Sequence, residues 1–104
     1  KGMVNAELLE KMKNSAVLIN TSRGPVVNEA DLTEALNSGK IAAAYLDVLE
    51  KEPMSSETPL KNAKNCVITP HTAWAAYETR VRLLNIVCEN IRCWLNDKPQ
   101  NKVN

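Results

Sequence analysis

Two short apolar runs, Ala16-Val17-Leu18-Ile19-Asn20 and Ile41 to Asp47 (IAAAYLD), constrain this chain more than any other feature. Neither alternates apolar with polar residues, so neither reads as a strand with one wet face. Both read as strands of a parallel sheet covered by helices. Between them, Thr21-Ser22-Arg23-Gly24-Pro25 breaks regular structure. Asn28-Glu29-Ala30-Asp31 then caps a helix running through Leu32, Ala35 and Leu36 to Gly39 as its stop. Strand, helix, strand at this length is a right-handed βαβ unit. The small alanines of the second run let a helix or a ligand approach closely.

The flanks extend the same pattern. Asn5 is an N-cap for a short helix over about 5–13, with Leu8, Leu9 and Met12 at helical spacing. From Val48 to Asn65 the chain is polar and carries Pro53, Ser55, Ser56 and Pro59, which predicts a long loop with one helical turn. Cys66-Val67-Ile68-Thr69 is a third short strand, stopped by Pro70. A long helix is expected over about 75–96, with Tyr77, Val81, Leu84, Cys88, Ile91 and Leu95 as its stripe. Leu83, Val87 and Trp94 widen that face enough to pack against two surfaces, another lobe or a subunit. The predicted class is α/β, with about three parallel strands and a long C-terminal helix.

Composition narrows the partners. A length of 104 residues allows one compact domain, and the net charge of +1 is spread evenly. That argues against nucleic acid or a membrane surface as the main partner. No apolar run approaches the ~20 residues of a membrane span. The three cysteines, Cys66, Cys88 and Cys93, have no C-x-x-C spacing and read as reduced residues of a cytoplasmic protein. With a single histidine, no metal site is expected. Opening at Lys1 and running directly into a helix pattern, the chain is expected to be a piece of something longer.

Ligands of open α/β sheets bind beyond the carboxyl ends of the strands. Arg23 follows the first strand there, Asp47 closes the second, and His71 follows the third, with Glu52 in the loop after the second. A guanidinium in a glycine-containing turn suits a carboxylate, held by two parallel hydrogen bonds; on its own, a surface arginine tying down a loop is the commoner case. Imidazole is the side chain best matched to proton transfer near neutral pH, although a lone histidine at a strand end is more often structural. A carboxylate beside it would stabilise imidazolium, and spacing does not choose between Glu50 and Glu52. Asp47 is either an acceptor for an amide such as that of nicotinamide or a cap for a neighbouring loop. Trp74 and Trp94 read as packing residues, with Trp74 close enough to the histidine to line a pocket. Thr21 and Ser22 have no second base nearby, which disfavours nucleophilic catalysis. With glycine only at 2, 24 and 39, no phosphate-cradling glycine loop is present.

Three segments in order, Leu18 to Asn28 (LINTSRGPVVN), Ala43 to Pro53 (AAYLDVLEKEP) and Val67 to Ala73 (VITPHTA), resemble the signatures of the D-isomer-specific 2-hydroxyacid dehydrogenases. Trp74 is most similar to the glycerate dehydrogenase (hydroxypyruvate reductase) branch. The resemblance implies the C-terminal portion of an NAD(P)-binding domain of Rossmann type, without its dinucleotide fingerprint. It implies Arg23 as the carboxylate-binding catalytic arginine, Glu52 as the catalytic glutamate and His71 as the acid–base histidine. Thr21, Ser22, Arg23, Asp47, His71, Ala73 and Trp74 are implied to contact NAD or NADP. The parent enzyme would be a cytoplasmic homodimer acting on a small 2-keto or 2-hydroxy acid, while the isolated piece is expected to be inactive. Transcriptional corepressors with the same fold and the same Arg, Glu and His are the alternative; Trp74 favours the enzyme.

Overall fold

The computed structural model describes residues 1–103, which fall into two compact units, Lys1–His71 and a second from Thr72 onward. The first unit begins with helix α1 (Ala6–Glu10), continues through strand β1 (Val17–Asn20), helix α2 (Glu29–Asn37), strand β2 (Ala43–Leu46) and strand β3 (Cys66–Ile68), and contains the βαβ unit expected from the sequence. All strand pairs are parallel and the order is β1-β2-β3, with Ile19, Tyr45 and Val67 side by side across the sheet.

Both helices start where their caps dictate. The Asn5 carboxamide accepts from the Leu8 N–H at 3.1 Å, and that of Asn28 accepts from Ala30 and Asp31 at 3.0 and 3.2 Å. Each such cap is worth about 1 kcal/mol. Asp31 then reaches out of α2 to accept the Ala6 N–H at 2.9 Å, which ties the starts of the two helices together. Gly39 ends α2 with φ of +74°, the left-handed turn that a glycine tolerates without strain.

One face of the sheet carries the core. Leu9 from α1, Leu32, Ala35 and Leu36 from α2, Ile41, and Ala44 and Leu46 from β2 form one buried cluster, closed below by Leu60. The other face is bare: Val17, Ile19, Tyr45 and Val67 are all exposed, Ile19 by 67%. Within the first unit the apolar strands therefore bury one side only.

The loop after β2 is polar, as expected, but well tied. The Glu29 carboxylate, in the first turn of α2, accepts from the Glu50 N–H and the Thr58 hydroxyl, both at 2.8 Å. Thr58 in turn caps a 3-10 turn in this loop, Pro59–Asn62, through the Leu60 N–H. The second unit is built on helix α3 (Tyr77–Leu95), which has no buried residue and leaves Tyr77, Leu84, Ile91 and Trp94 exposed. Its end closes with Asp97 in the left-handed region (φ +55°), the Asp97 N–H on the Trp94 carbonyl and the Lys98 N–H on that of Cys93. These two bonds satisfy carbonyls that a helix end otherwise leaves open. Among the described residues, no helix is long and apolar enough to cross a membrane.

Candidate active site

Because all three strands run the same way, their carboxyl ends lie along one edge of the sheet. At this edge the Asp47 N–H donates to the Asn20 carbonyl at 2.9 Å and the Thr69 N–H to the Leu46 carbonyl at 2.9 Å. The parallel ladder thus holds the residues just past each strand side by side. A cavity of about 590 Å³ opens there, lined by Asp47, Leu49, Glu52, Pro53, Met54, Ile68, Thr69, Pro70 and His71. Its walls are mostly apolar with a few convergent polar groups, the usual composition of a small-molecule site.

The polar groups are paired. His71 Nδ1 lies 2.8 Å from Glu52 Oε2, and the other carboxylate oxygen accepts the Leu49 N–H at 2.9 Å. That amide, and next the His71 ring, hold the Glu52 carboxyl below its ordinary range, against an opposing push from the charge of Asp47. Glu50, the other candidate for the histidine's partner, faces elsewhere and pairs with Lys1 Nζ at 2.8 Å. His71 itself sits at φ +55°, a left-handed conformation that histidine adopts more readily than most side chains. Asp47 is only 5% exposed, and its Oδ1 accepts the Thr69 hydroxyl at 2.5 Å.

Arg23 is placed differently. It is exposed, does not line the cavity, and donates from Nη1 to the Ser22 carbonyl at 2.7 Å. Its loop is nevertheless fastened to the cavity's loop. A Cβ on the buried Gly24 would lie 1.8 Å from the Leu49 carbonyl oxygen, so only glycine allows the two backbones to touch. Thr21 and Ser22 share that exposed loop after β1. Ala73 and Trp74 belong to the second unit, and Trp74 is 55% exposed. The structure thus gathers Asp47, Glu52 and His71 around one cavity and puts Thr21, Ser22 and Arg23 on the adjoining loop, while Ala73 and Trp74 belong to the second unit.

Two contributors were not singled out from sequence. Thr69, which holds Asp47, stood inside the Thr-Pro-His segment, and its position two residues before the histidine was the available signal. Asn20, whose side chain organises the arginine loop, was taken only as the end of a strand. The second unit carries a groove along α3, lined in part by Tyr77, Arg82 and Glu89.

The D-isomer specific 2-hydroxyacid dehydrogenase, NAD binding domain, family matches residues 1–73, and the chain belongs to that family. It is 50% identical over all 104 residues to the hydroxypyruvate reductase of Blautia hydrogenotrophica, of which it covers 32%. It is 46% identical over 99 residues, 95% of its length, to the human glyoxylate reductase/hydroxypyruvate reductase, of which it covers 30%. The chain spans about a third of the length of these curated relatives. Among solved structures, the D-isomer specific 2-hydroxyacid dehydrogenase of Xanthobacter autotrophicus in complex with NADPH and MES superposes with a TM-score of 0.78 at 45% identity, over 100% of this chain and 43% of that one.

Proposed function

We propose that this chain is the C-terminal portion of the NAD(P)-binding domain of an enzyme that reduces hydroxypyruvate or glyoxylate. The observation that carries the proposal is the Glu52–His71 pair on the wall of a largely apolar cavity, in a chain of this family. A relative named hydroxypyruvate reductase at 50% identity supports the substrate class. The cavity suits a nicotinamide: its apolar walls accept a flat ring, and the nearly buried Asp47 carboxylate, steadied by Thr69, offers an acceptor for the ring's amide. When bound, NADH or NADPH supplies the hydride that reduces the 2-keto carbon. Thr21, Ser22, Arg23, Asp47, His71, Ala73 and Trp74 are the residues proposed to contact it.

Arg23 binds the substrate carboxylate and polarises the neighbouring carbonyl. His71, with Nδ1 on Glu52, gives the proton from its Nε2 to the oxygen that becomes the hydroxyl. Glu52, kept ionised by the Leu49 N–H, stabilises the imidazolium that must be present before that transfer. In the reverse direction His71 is the base. With no glycine-rich phosphate loop among its residues, the isolated chain is proposed to be inactive by itself. The whole protein is proposed to be a cytoplasmic homodimer, a reading supported by the apolar side chains that α3 leaves exposed.

The test is a steady-state assay of the full-length protein on a panel of 2-keto acids with NADH and with NADPH. Hydroxypyruvate or glyoxylate is expected among the best substrates, and His71→Ala is expected to lower turnover about 100-fold or more. Unchanged turnover in His71→Ala overturns the acid–base role.

A further inference from the structure

Arg23 needs a fixed position to grip a carboxylate with two bonds, yet its side chain is exposed and its loop has no regular structure beyond a 3-10 turn at Gly24–Val26. What holds the loop is the side chain of Asn20, at the last position of β1 and only 6% exposed. Its Oδ1 accepts from the Ser22 N–H at 3.1 Å and from the Ser22 hydroxyl at 2.8 Å. Its Nδ2 donates to the Arg23 carbonyl at 3.0 Å. One buried carboxamide therefore fastens both ends of the Ser22-Arg23 dipeptide. The peptide carbonyl between them is the one that receives the Arg23 guanidinium. The Asn20 backbone carbonyl meanwhile accepts the Asp47 N–H, so the same residue is anchored to the strand that carries the cavity wall.

We propose that Asn20 is a positioning residue for Arg23, setting the guanidinium of the catalytic loop for the substrate carboxylate; this rests on the reading of Arg23 given above. An asparagine is suited to the task because one planar group presents an acceptor and a donor in opposite directions. Aspartate has the same shape but offers no N–H to the Arg23 carbonyl, and places a charged oxygen against it instead. A leucine would fill the space and satisfy neither end, leaving buried polar groups without partners. Three side-chain bonds to this one residue hold the Ser22-Arg23 segment of the loop.

The experiment uses the full-length enzyme and four variants: Asn20→Ala, Asn20→Asp, Arg23→Lys, and Asn20→Asp combined with Arg23→Lys. Asn20→Asp is expected to raise KM for the 2-keto acid about tenfold or more, since a misplacement near 1 Å is enough for such losses. In the Arg23→Lys background the same substitution is expected to change KM by less than about twofold, because a residue that acts through another adds little once that other is impaired. Amide exchange at Ser22 is expected to quicken in Asn20→Ala and to stay slow in Asn20→Asp, which retains the acceptor. An equal loss in both backgrounds overturns the proposal. A wild-type enzyme that reduces no 2-keto acid sinks the functional reading instead; slow exchange at Ser22 in Asn20→Ala then removes the positioning claim by itself.

Discussion

Gly24 is the point at which the fold holds the loop of Arg23 against the loop of Glu52, and Gly24→Ala tests that directly. An added Cβ would stand 1.8 Å from the Leu49 oxygen, 1.9 Å from its carbonyl carbon and 2.4 Å from the Glu50 nitrogen. Cβ contacts under 3.0 Å are essentially never seen, so the backbones must part by about 1.2 Å. Neither neighbour is the tip of a flexible side chain, and Leu49 is itself buried and part of the core cluster. Overpacking of this kind costs about 1–3 kcal/mol, and a backbone-on-backbone clash belongs at the top of that range. At about 3 kcal/mol the melting temperature of a domain of 150–250 residues falls by roughly 10 °C. The functional loss should be larger, because the shift acts where the Leu49 N–H holds Glu52 and where Arg23 precedes Gly24. A displacement of about 1 Å between such groups costs on the order of 100-fold in kcat/KM. Calorimetry and steady-state kinetics on the full-length protein read both effects. Gly39→Ala is the control: it meets nothing within 4 Å but must adopt φ of +74°, for about 1–2 kcal/mol, and should leave kcat untouched. A Gly24→Ala protein with wild-type melting and turnover would refute the idea that this contact clamps the site.

Two further perturbations address charge and thiol chemistry. Glu52→Gln keeps the shape of the side chain but removes the charge facing His71, and should lower kcat/KM about 100-fold or more. Because the Leu49 N–H, and next the His71 ring, hold the folded Glu52 carboxyl below its ordinary value of 4.5, the ionised carboxylate contributes stability above that value and loses it as pH falls through the lower, folded one. Unfolding curves between neutral pH and strong acid should therefore show an acid limb in the wild type that is reduced in Glu52→Gln; identical limbs would remove the carboxylate from the explanation. Among the cysteines, burial pushes the Cys66 thiol up, with Glu29 adding to it, and burial followed by the bond to Glu89 does the same to Cys93. Cys88 is exposed, so mass spectrometry after brief maleimide treatment of this chain near neutral pH should find it labelled first. Prior labelling of Cys66 would contradict that order.

What could be read from the sequence and what could not divide along the range of the interactions involved. Asn5, Asn28 and Gly39 act on residues within one turn of themselves, so the bounds of α1 and α2 were legible to within a few residues. The placement of Asp47, Glu52 and His71 along one sheet edge was also legible, since a parallel sheet carries every strand end to the same side. The choice between Glu50 and Glu52 was not. It depends on the Glu50 N–H being taken by Glu29, its carboxylate by Lys1, and Glu52 being turned back by the Leu49 amide, contacts that no local pattern announces. The sheet shows a different limit. Val17, Ile19, Tyr45 and Val67 have the composition of strands buried on both sides, yet they lie open. Hydrophobic pattern records what a whole fold buries, and this chain spans about a third of its curated relatives.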